Sequence, residues 1–436
     1  MLDYKIIYLT DDGITSLRCG VGAITSNFIE SFPAINDYFK KRKINISLSV
    51  ISFNTSKKNI GYRIDLKNRA KSICRSTGGK VYLIYRRKIR KIGYFDFSYW
   101  KKYNEEISKI INRIADDGNK KVIVLANDTI FANVHCPKNV IFVWIPHSLA
   151  MVHSQTYVNN AKRLNWEKEA ISRINSMPDH FIGYISPFVK SILTKKLKVK
   201  KDKAIPFQNG FCLKYIKKQS SYSKKQIDKM LIKRGIDTKR PIILTFARAD
   251  EYKGLEHSLR VMTHFTDTGY YYGVIIASRF SNELIVDRVQ ENLRKILSGH
   301  KNISAFFEYE FELPKYLLRY AKTQVLLNLP NKDFCPLIPF EAELIGNKNL
   351  QVINSNIACF NKLVINNHNG FLVDPYYPKA FIQVRKAISI RAEKKKTVIK
   401  NAKKFAQQNF DIITNYIKGF ECLFEKEKLG KGLTRT

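Results

Sequence analysis

The stretch QVLLNLPNKDFCPLIPFEAELIGNKNLQVINSNIACFNKLVINNHNGFLVDP, residues 324–375, decides how this chain is read. Its first run, QVLLNLP, is apolar and bounded by a turn residue, which predicts a buried parallel strand. The loop after it carries Asp333. Seven residues then separate Asp333 from Glu341, which falls on the next predicted helix. Gly346 ends that helix and LQVINS begins another strand. One carboxylate at the C-terminal edge of a strand and another a few turns of chain later can face one crevice. In open α/β sheets that crevice is where ligands bind.

Two carboxylates in a polar crevice suit a polyhydroxylated ligand. Ionised Asp and Glu only accept hydrogen bonds, and each can take two from hydroxyls. A sugar and a ribose both present such paired donors. The amides from Leu337 onward open the helix and are unsatisfied donors, well aimed for a phosphate. The stretch therefore fits a sugar nucleotide. A plainer reading, a helix start with an acidic first turn, is common, and Asp333 with Glu341 does not displace it alone.

Outward from this stretch the chain alternates. KIIYLT, SLSVISF, KVIVLAND, NVIFVWIPHS and HFIGYIS read as strands, with amphipathic helices between them, one from Tyr99 to Asp117. The loop DDGITSLRCGVG after the first strand holds Gly20 and Gly22 just before a helical pattern. Glycine there lets backbone come close to a ligand such as a phosphate, although a simple βα turn explains it too. Residues 199–223 lose the periodicity and hold Pro, Gly and Asn, which places the interdomain link there. A second alternation follows: PIILTFARAD, a helix from Leu255, YYGVIIAS, a helix from Asn282, ISAFFEY, LPKYLLRYAK and the opening stretch. The expected fold class is α/β, two doubly wound Rossmann-like domains facing across a cleft. Their expected bounds are 1–205 and 223–400, with a linker at 206–222. A charged helical tail, 401–436, is expected to pack back toward the first domain.

The second alternation opens with FARADEYKG. Arg248 ends its strand, and Lys253 and Gly254 lie on the following loop. Arg holds phosphate oxygens bidentately and Lys neutralises them as a point charge. Such a pair aimed into the crevice suits a pyrophosphate. A solvated loop on a basic protein is the plainer account. It weakens because the same domain also carries the two carboxylates.

The R-x4-KG and D-x7-E patterns resemble the "R…KG" and E-x7-E signatures of family 4 retaining nucleotide-sugar glycosyltransferases, the glycosyl transferases group 1, which have the GT-B fold. Four further stretches follow that family's order: IPHS with His147, the helix–strand passage ending in Ser186, QNGF and NGFLVDP. The resemblance implies a nucleoside-diphosphate sugar donor, UDP- or GDP-linked, a hydroxyl acceptor, retention at the anomeric carbon, no cofactor and no metal ion. It implies that Arg248 and Lys253 stabilise the leaving diphosphate. Asp333 would orient the sugar, Glu341 hold the ribose and His147 contact the donor sugar, with Leu337, Gly20 and Gly22 also on the donor side. Four departures stand out. Asp333 replaces a glutamate, Pro336 stands where glycine is usual, Ala358–Cys359 stand where glycine pairs are common, and Asn361 stands where a glutamate often follows. Pro336 has no N–H to offer. These departures leave a sugar-nucleotide-binding pseudoenzyme as an alternative.

The formal net charge is +39. It bears on partners rather than on fold. From Lys57 to Lys91 there are thirteen Lys/Arg and one acidic residue, Asp65. Two readings fit this block: docking on an anionic membrane surface to serve a lipid-linked saccharide, or a solvated face. A glycan or small-molecule acceptor is equally compatible. Nucleic-acid binding would suit the charge, but helix-turn-helix, zinc and RNA-binding signatures are missing, so no specific nucleic acid is expected. Seven cysteines without a CxxC pair fit reduced thiols. With no apolar run near ~20 residues and no signal-peptide pattern, the expectation is a cytoplasmic protein, peripheral to the membrane if it docks.

Overall fold

The computed structural model describes residues 2–59, 61–85, 96–116, 120–153, 160–279 and 283–432. They form two units. One is Met1–Cys212 together with Phe410–Thr436, and the other is Leu213–Asn409. Four sequence expectations reach outside the described residues: the block's last part, Arg86 to Lys91, the helix end at Asp117, the helix start at Asn282 and the tail's last four residues.

The first unit is built on seven parallel strands: β1 (Leu2–Thr10), β2 (Ile44–Asn54), β3 (Val81–Tyr85), β4 (Lys121–Asn127), β5 (Val140–Ile145), β6 (His180–Tyr184) and β7 (Ala204–Pro206). Their order across the sheet is β3-β2-β1-β4-β5-β6-β7. The sheet changes direction between β1 and β4. The central strands are rich in Ile, Val and Leu and are buried along their length, as a sheet covered on both faces requires.

The helix Gly20–Lys40 follows β1 and turns Ile24, Phe28, Phe32, Ile35 and Phe39 inward. The chain's last helix, Ile412–Gly432, lies along it. Tyr416 lies tilted at 4.7 Å from Phe28, which itself stacks at 4.5 Å on Tyr8, and Phe424 meets Phe39 at 5.3 Å. Each such buried ring contributes about 1.5–3 kcal/mol. Polar bonds fix the register: Tyr38 Oη donates to Glu421 (2.6 Å), and Lys121 pairs with Glu427.

The second unit has six parallel strands: β8 (Ile242–Arg248), β9 (Tyr272–Ser278), β10 (Ile303–Phe306), β11 (Thr323–Asn328), β12 (Gln351–Ser355) and β13 (Phe371–Val373), ordered β10-β9-β8-β11-β12-β13. Here the direction changes between β8 and β11. Ile243, Val325 and Ile353 face Val261 and Met262 in one core layer, while Leu255, Leu259, Val286 and Leu293 close the other. Both units are doubly wound α/β sheets, the fold class that the alternation of patterns predicts.

Three details differ from the sequence reading. The region 199–223 contains β7, the sheet's edge strand, and a helix, Leu213–Gln219, although the units divide at Cys212, inside the 206–222 segment. A three-residue strand ending in proline is too short to show a pattern. The basic block includes a helix, Ile64–Ser76, with Leu66, Ala70, Ile73 and Cys74 buried. The helix Ala392–Asn409 runs past residue 400 because Val398, Ala402 and Ala406 belong to the second unit's core. No helix among the described residues is long and apolar enough to cross a membrane.

Candidate functional site

In the second unit, the loops after β8 and β11 meet at the change of direction. Their meeting is built into the backbone. Gly254 has φ +64°, and a Cβ there would lie 1.8 Å from the Leu329 carbonyl oxygen, so only glycine lets the two loops touch. The Asn331 N–H donates to the Tyr252 carbonyl at 3.0 Å. Across this junction Lys253 Nζ reaches Asp333 Oδ2 at 2.7 Å, with 19% and 11% of the two side chains exposed. A charge-assisted bond so sheltered contributes about 1.5–3 kcal/mol.

Arg248 ends β8. Its Nη2 donates to Tyr252 Oη (2.6 Å) and lies 2.9 Å from Asp250 Oδ2. Asp250 is 1% exposed, so the guanidinium is held by a carboxylate that has nowhere else to turn. Glu341 sits in the first turn of the helix Ile338–Ile345, half-buried. Burial raises its carboxyl above the usual range, opposed by the Lys315 ammonium. Leu337 is the residue before that helix, with helical dihedrals, and Pro339 removes one further amide from its first turn. The structure thus joins Lys253 and Asp333 across two neighbouring loops, with Arg248 ending the strand before the first and Leu337 and Glu341 opening the helix after the second. Asp250 and Tyr252 were passed over in the sequence. Their position between Arg248 and Lys253 was the available signal.

In the first unit, His147 follows β5 and its Nε2 lies 2.6 Å from Asn127 Oδ1 at the end of β4. Asn127 Nδ2 donates to Thr25 Oγ1 (3.3 Å), so Oδ1 faces the ring and Nε2 carries the proton. Desolvation lowers the imidazole pKa to about 4 against the pull of Asp128, leaving a neutral ring. Asp128 has φ +115°, a strained conformation for a residue with a Cβ. The loop carrying His147 is clamped from below. Arg163 Nη2 donates to Ser148 Oγ (2.7 Å), and the Ala150 N–H donates to Glu167 (2.9 Å). Arg163 and Glu167 pair with each other at 2.8 Å, 1% and 0% exposed. Ser186, from the passage compared above, caps the helix Pro187–Ser191 by accepting from the Val189 N–H (3.2 Å).

Gly20 and Gly22 open the long helix after β1. The near neighbour of Gly22 is Asp12: a Cβ would stand 2.4 Å from its Oδ2. That carboxylate accepts the Arg18 and Cys19 N–H groups at 2.8 and 3.1 Å and the Ser16 hydroxyl at 2.7 Å. An internal anion therefore already sits at this helix start. Asp12 was passed over in the sequence. Among the described residues, no group of three or more His, Cys, Asp or Glu could hold a metal ion.

Residues 226–405 match the family Glycosyl transferases group 1. The match lies within the second unit. The match spans Arg248, Lys253, Asp333 and Glu341 and leaves the first unit outside it. Solved structures with the same fold include a glycosyltransferase from Rickettsia africae, 17% identical, TM-score 0.65, covering 98% of this chain and 99% of that one. Sucrose-phosphate synthase from Thermosynechococcus elongatus is 15% identical, TM-score 0.66, over 100% of both chains. HepE of Anabaena, crystallised with UDP and glucose, is 14% identical, TM-score 0.62, over 99% and 100%. At these identities the likeness concerns the fold of the whole chain. Comparison with curated protein sequences gives no significant match.

Proposed function

We propose that the protein transfers a hexose from a nucleoside-diphosphate sugar to a hydroxyl acceptor, with retention and without a metal ion. The observation that carries this reading is the junction of Lys253, Asp333 and Arg248 where the second sheet changes direction, inside the residues that match the group 1 family. The bond from the anomeric carbon to the diphosphate oxygen breaks, and its electron pair goes to that oxygen. The acceptor oxygen attacks the same face, and its proton passes to the departing phosphate. Charge grows on the phosphate as the bond breaks, so fixed cations help most in the transition state. Arg248 and Lys253 supply those charges. Asp333 orients hydroxyls of the oxocarbenium-like sugar, Glu341 takes the ribose and the Leu337 amide points to phosphate. The roles of His147, Gly20 and Gly22, in the first unit, rest on the family resemblance alone.

The UDP and glucose bound by HepE support UDP-glucose as the first donor to test. A thermal-shift screen of UDP- and GDP-sugars, followed by a product assay with and without EDTA, tests the reading. Donor binding with product in EDTA supports it. Binding without product makes the protein a sugar-nucleotide-binding pseudoenzyme, and activity that EDTA removes and magnesium restores refutes a metal-free mechanism.

Docking on an anionic membrane belongs to the same reading. Its support is the exposed side of the helix Ile64–Ser76, with Lys71 and Arg75, beside exposed Lys80 and Tyr85. Arg63 and Arg69 are already engaged by Asp65 and Glu30. Co-sedimentation with phosphatidylserine vesicles at low salt, lost at high salt, is expected; no binding at low salt refutes docking.

A further inference from the structure

The helix Ile338–Ile345 has a second acidic residue, Glu343. Two residues apart on a helix, Glu341 and Glu343 point about 200° apart. Glu343 is 8% exposed, and neither carboxylate oxygen has a hydrogen-bond partner. Burial holds its carboxyl well above the usual range. A buried polar group left this way is destabilising, and an apolar residue of similar size would remove the penalty. Glu343 therefore asks for a partner from outside the chain.

It lines a cavity of about 250 Å³ between this helix, β12 and the helix Ala392–Asn409. Val352 and Phe371 give the cavity an apolar wall, and Lys396, Lys400 and Lys403 stand at its edge. These lysines recur at helical spacing on one exposed face, where like charges repel one another. None forms an ion pair with Glu343 among the described residues. Acid and lysines thus flank the same space without satisfying each other.

The chemistry of an occupant follows. Three ammonium groups attract an anion and repel a cation. A neutral carboxyl donates one hydrogen bond, which an oxyanion accepts. The apolar wall calls for a hydrocarbon body. A cavity of 150 Å³ holds benzene, so this one admits about ten non-hydrogen atoms. We propose that the cavity binds a small organic anion, its carboxylate or phosphate head between Glu343 and the lysines and its apolar body against Val352 and Phe371. The site lies on the opposite side of the helix from Glu341, and the proposal does not depend on the glycosyl-transfer reading.

Isothermal titration of the full chain near neutral pH, with benzoate, phenyl phosphate and benzylammonium as probes, tests it. Binding of benzoate or phenyl phosphate, with benzylammonium silent, is expected and identifies the head group. Glu343→Leu should raise or keep the thermal midpoint yet weaken the bound anion at least about tenfold. Glu343→Gln retains a donor and should bind within about threefold of the parent. Lys400→Ala, an exposed change that leaves folding intact, should weaken binding severalfold. The proposal is overturned if neither anion binds at about 10 mM, beyond the range expected for ligands of this size. Benzylammonium binding in place of the anions also overturns it. So does unchanged affinity in Lys400→Ala, which decides the matter even if Glu343→Leu does not fold.

Discussion

Replacing Lys253 with alanine removes a cation from between two negative groups, the Asp333 carboxylate and the proposed diphosphate. In the structure the ammonium is 2.7 Å from Asp333 and 19% exposed, so solvent screens it only in part. Unit charges about 4 Å apart interact by about 4 kcal/mol at an effective dielectric of 20. Losing one preorganised charge contact in a transition state typically costs about 2.7–4 kcal/mol, a hundredfold to a thousandfold in kcat. Lys253→Ala should therefore lower transfer by roughly two orders of magnitude or more. It also leaves Asp333 without its ion-pair cation, facing a negative donor. Adding Asp333→Asn should recover part of the loss, about tenfold, if repulsion of that kind is at work. The assay is nucleoside-diphosphate release and product formation with whichever donor the binding screen selects. Arg248→Ala should fall by a similar factor. Near-normal turnover in both single variants would sink the mechanism. A double variant worse than Lys253→Ala would show that Asp333 acts on the sugar independently of its ion pair.

Two further outcomes concern the first unit. His147 and His180 are each lowered from 6.5 to about 4 by desolvation, so the unfolded chain binds more protons than the folded one between those values. Their contribution to stability is complete above pH 6.5 and declines as the pH falls toward 4. Thermal midpoints should drop through this window, and His180→Phe should flatten the drop; an equally steep decline in that variant counts against it. Arg163→Met leaves the buried Glu167 without its ion-pair partner, held only by the Ala150 N–H, and should cost about 3–5 kcal/mol in urea unfolding. A loss below about 1 kcal/mol would mean that the pair behaves as a surface bridge.

Much of the fold was legible because parallel strands covered on both faces read as unbroken apolar runs, as in NVIFVWIP and QVLLNLP. Arg248 and Asp333 were visible for the same reason: each stands where such a run stops. What could not be read was contact. Lys253 and Asp333 are eighty positions apart, and nothing local announces that Gly254 lies against Leu329. Asp12 was missed because a carboxylate in a loop and one plugging a helix start share the same letters. The helix Ile64–Ser76 was hidden by its charges, although Leu66, Ala70, Ile73 and Cys74 recur at helical intervals. Glu343 passed as one more acid on a charged chain, since burial without a partner is not a property of sequence.

The aromatic seam between the helices Gly20–Lys40 and Ile412–Gly432 has a consequence for biosynthesis. On the ribosome, everything from Leu213 to Asn409 must be translated before the piece that finishes the first-made unit exists. At usual elongation rates that interval is on the order of 10–40 s. Throughout it, Phe28 and Phe39 have no Tyr416 or Phe424 to cover them. The amino-terminal unit is thus a late finisher, with one apolar helix face uncovered until the last stretch of chain is made.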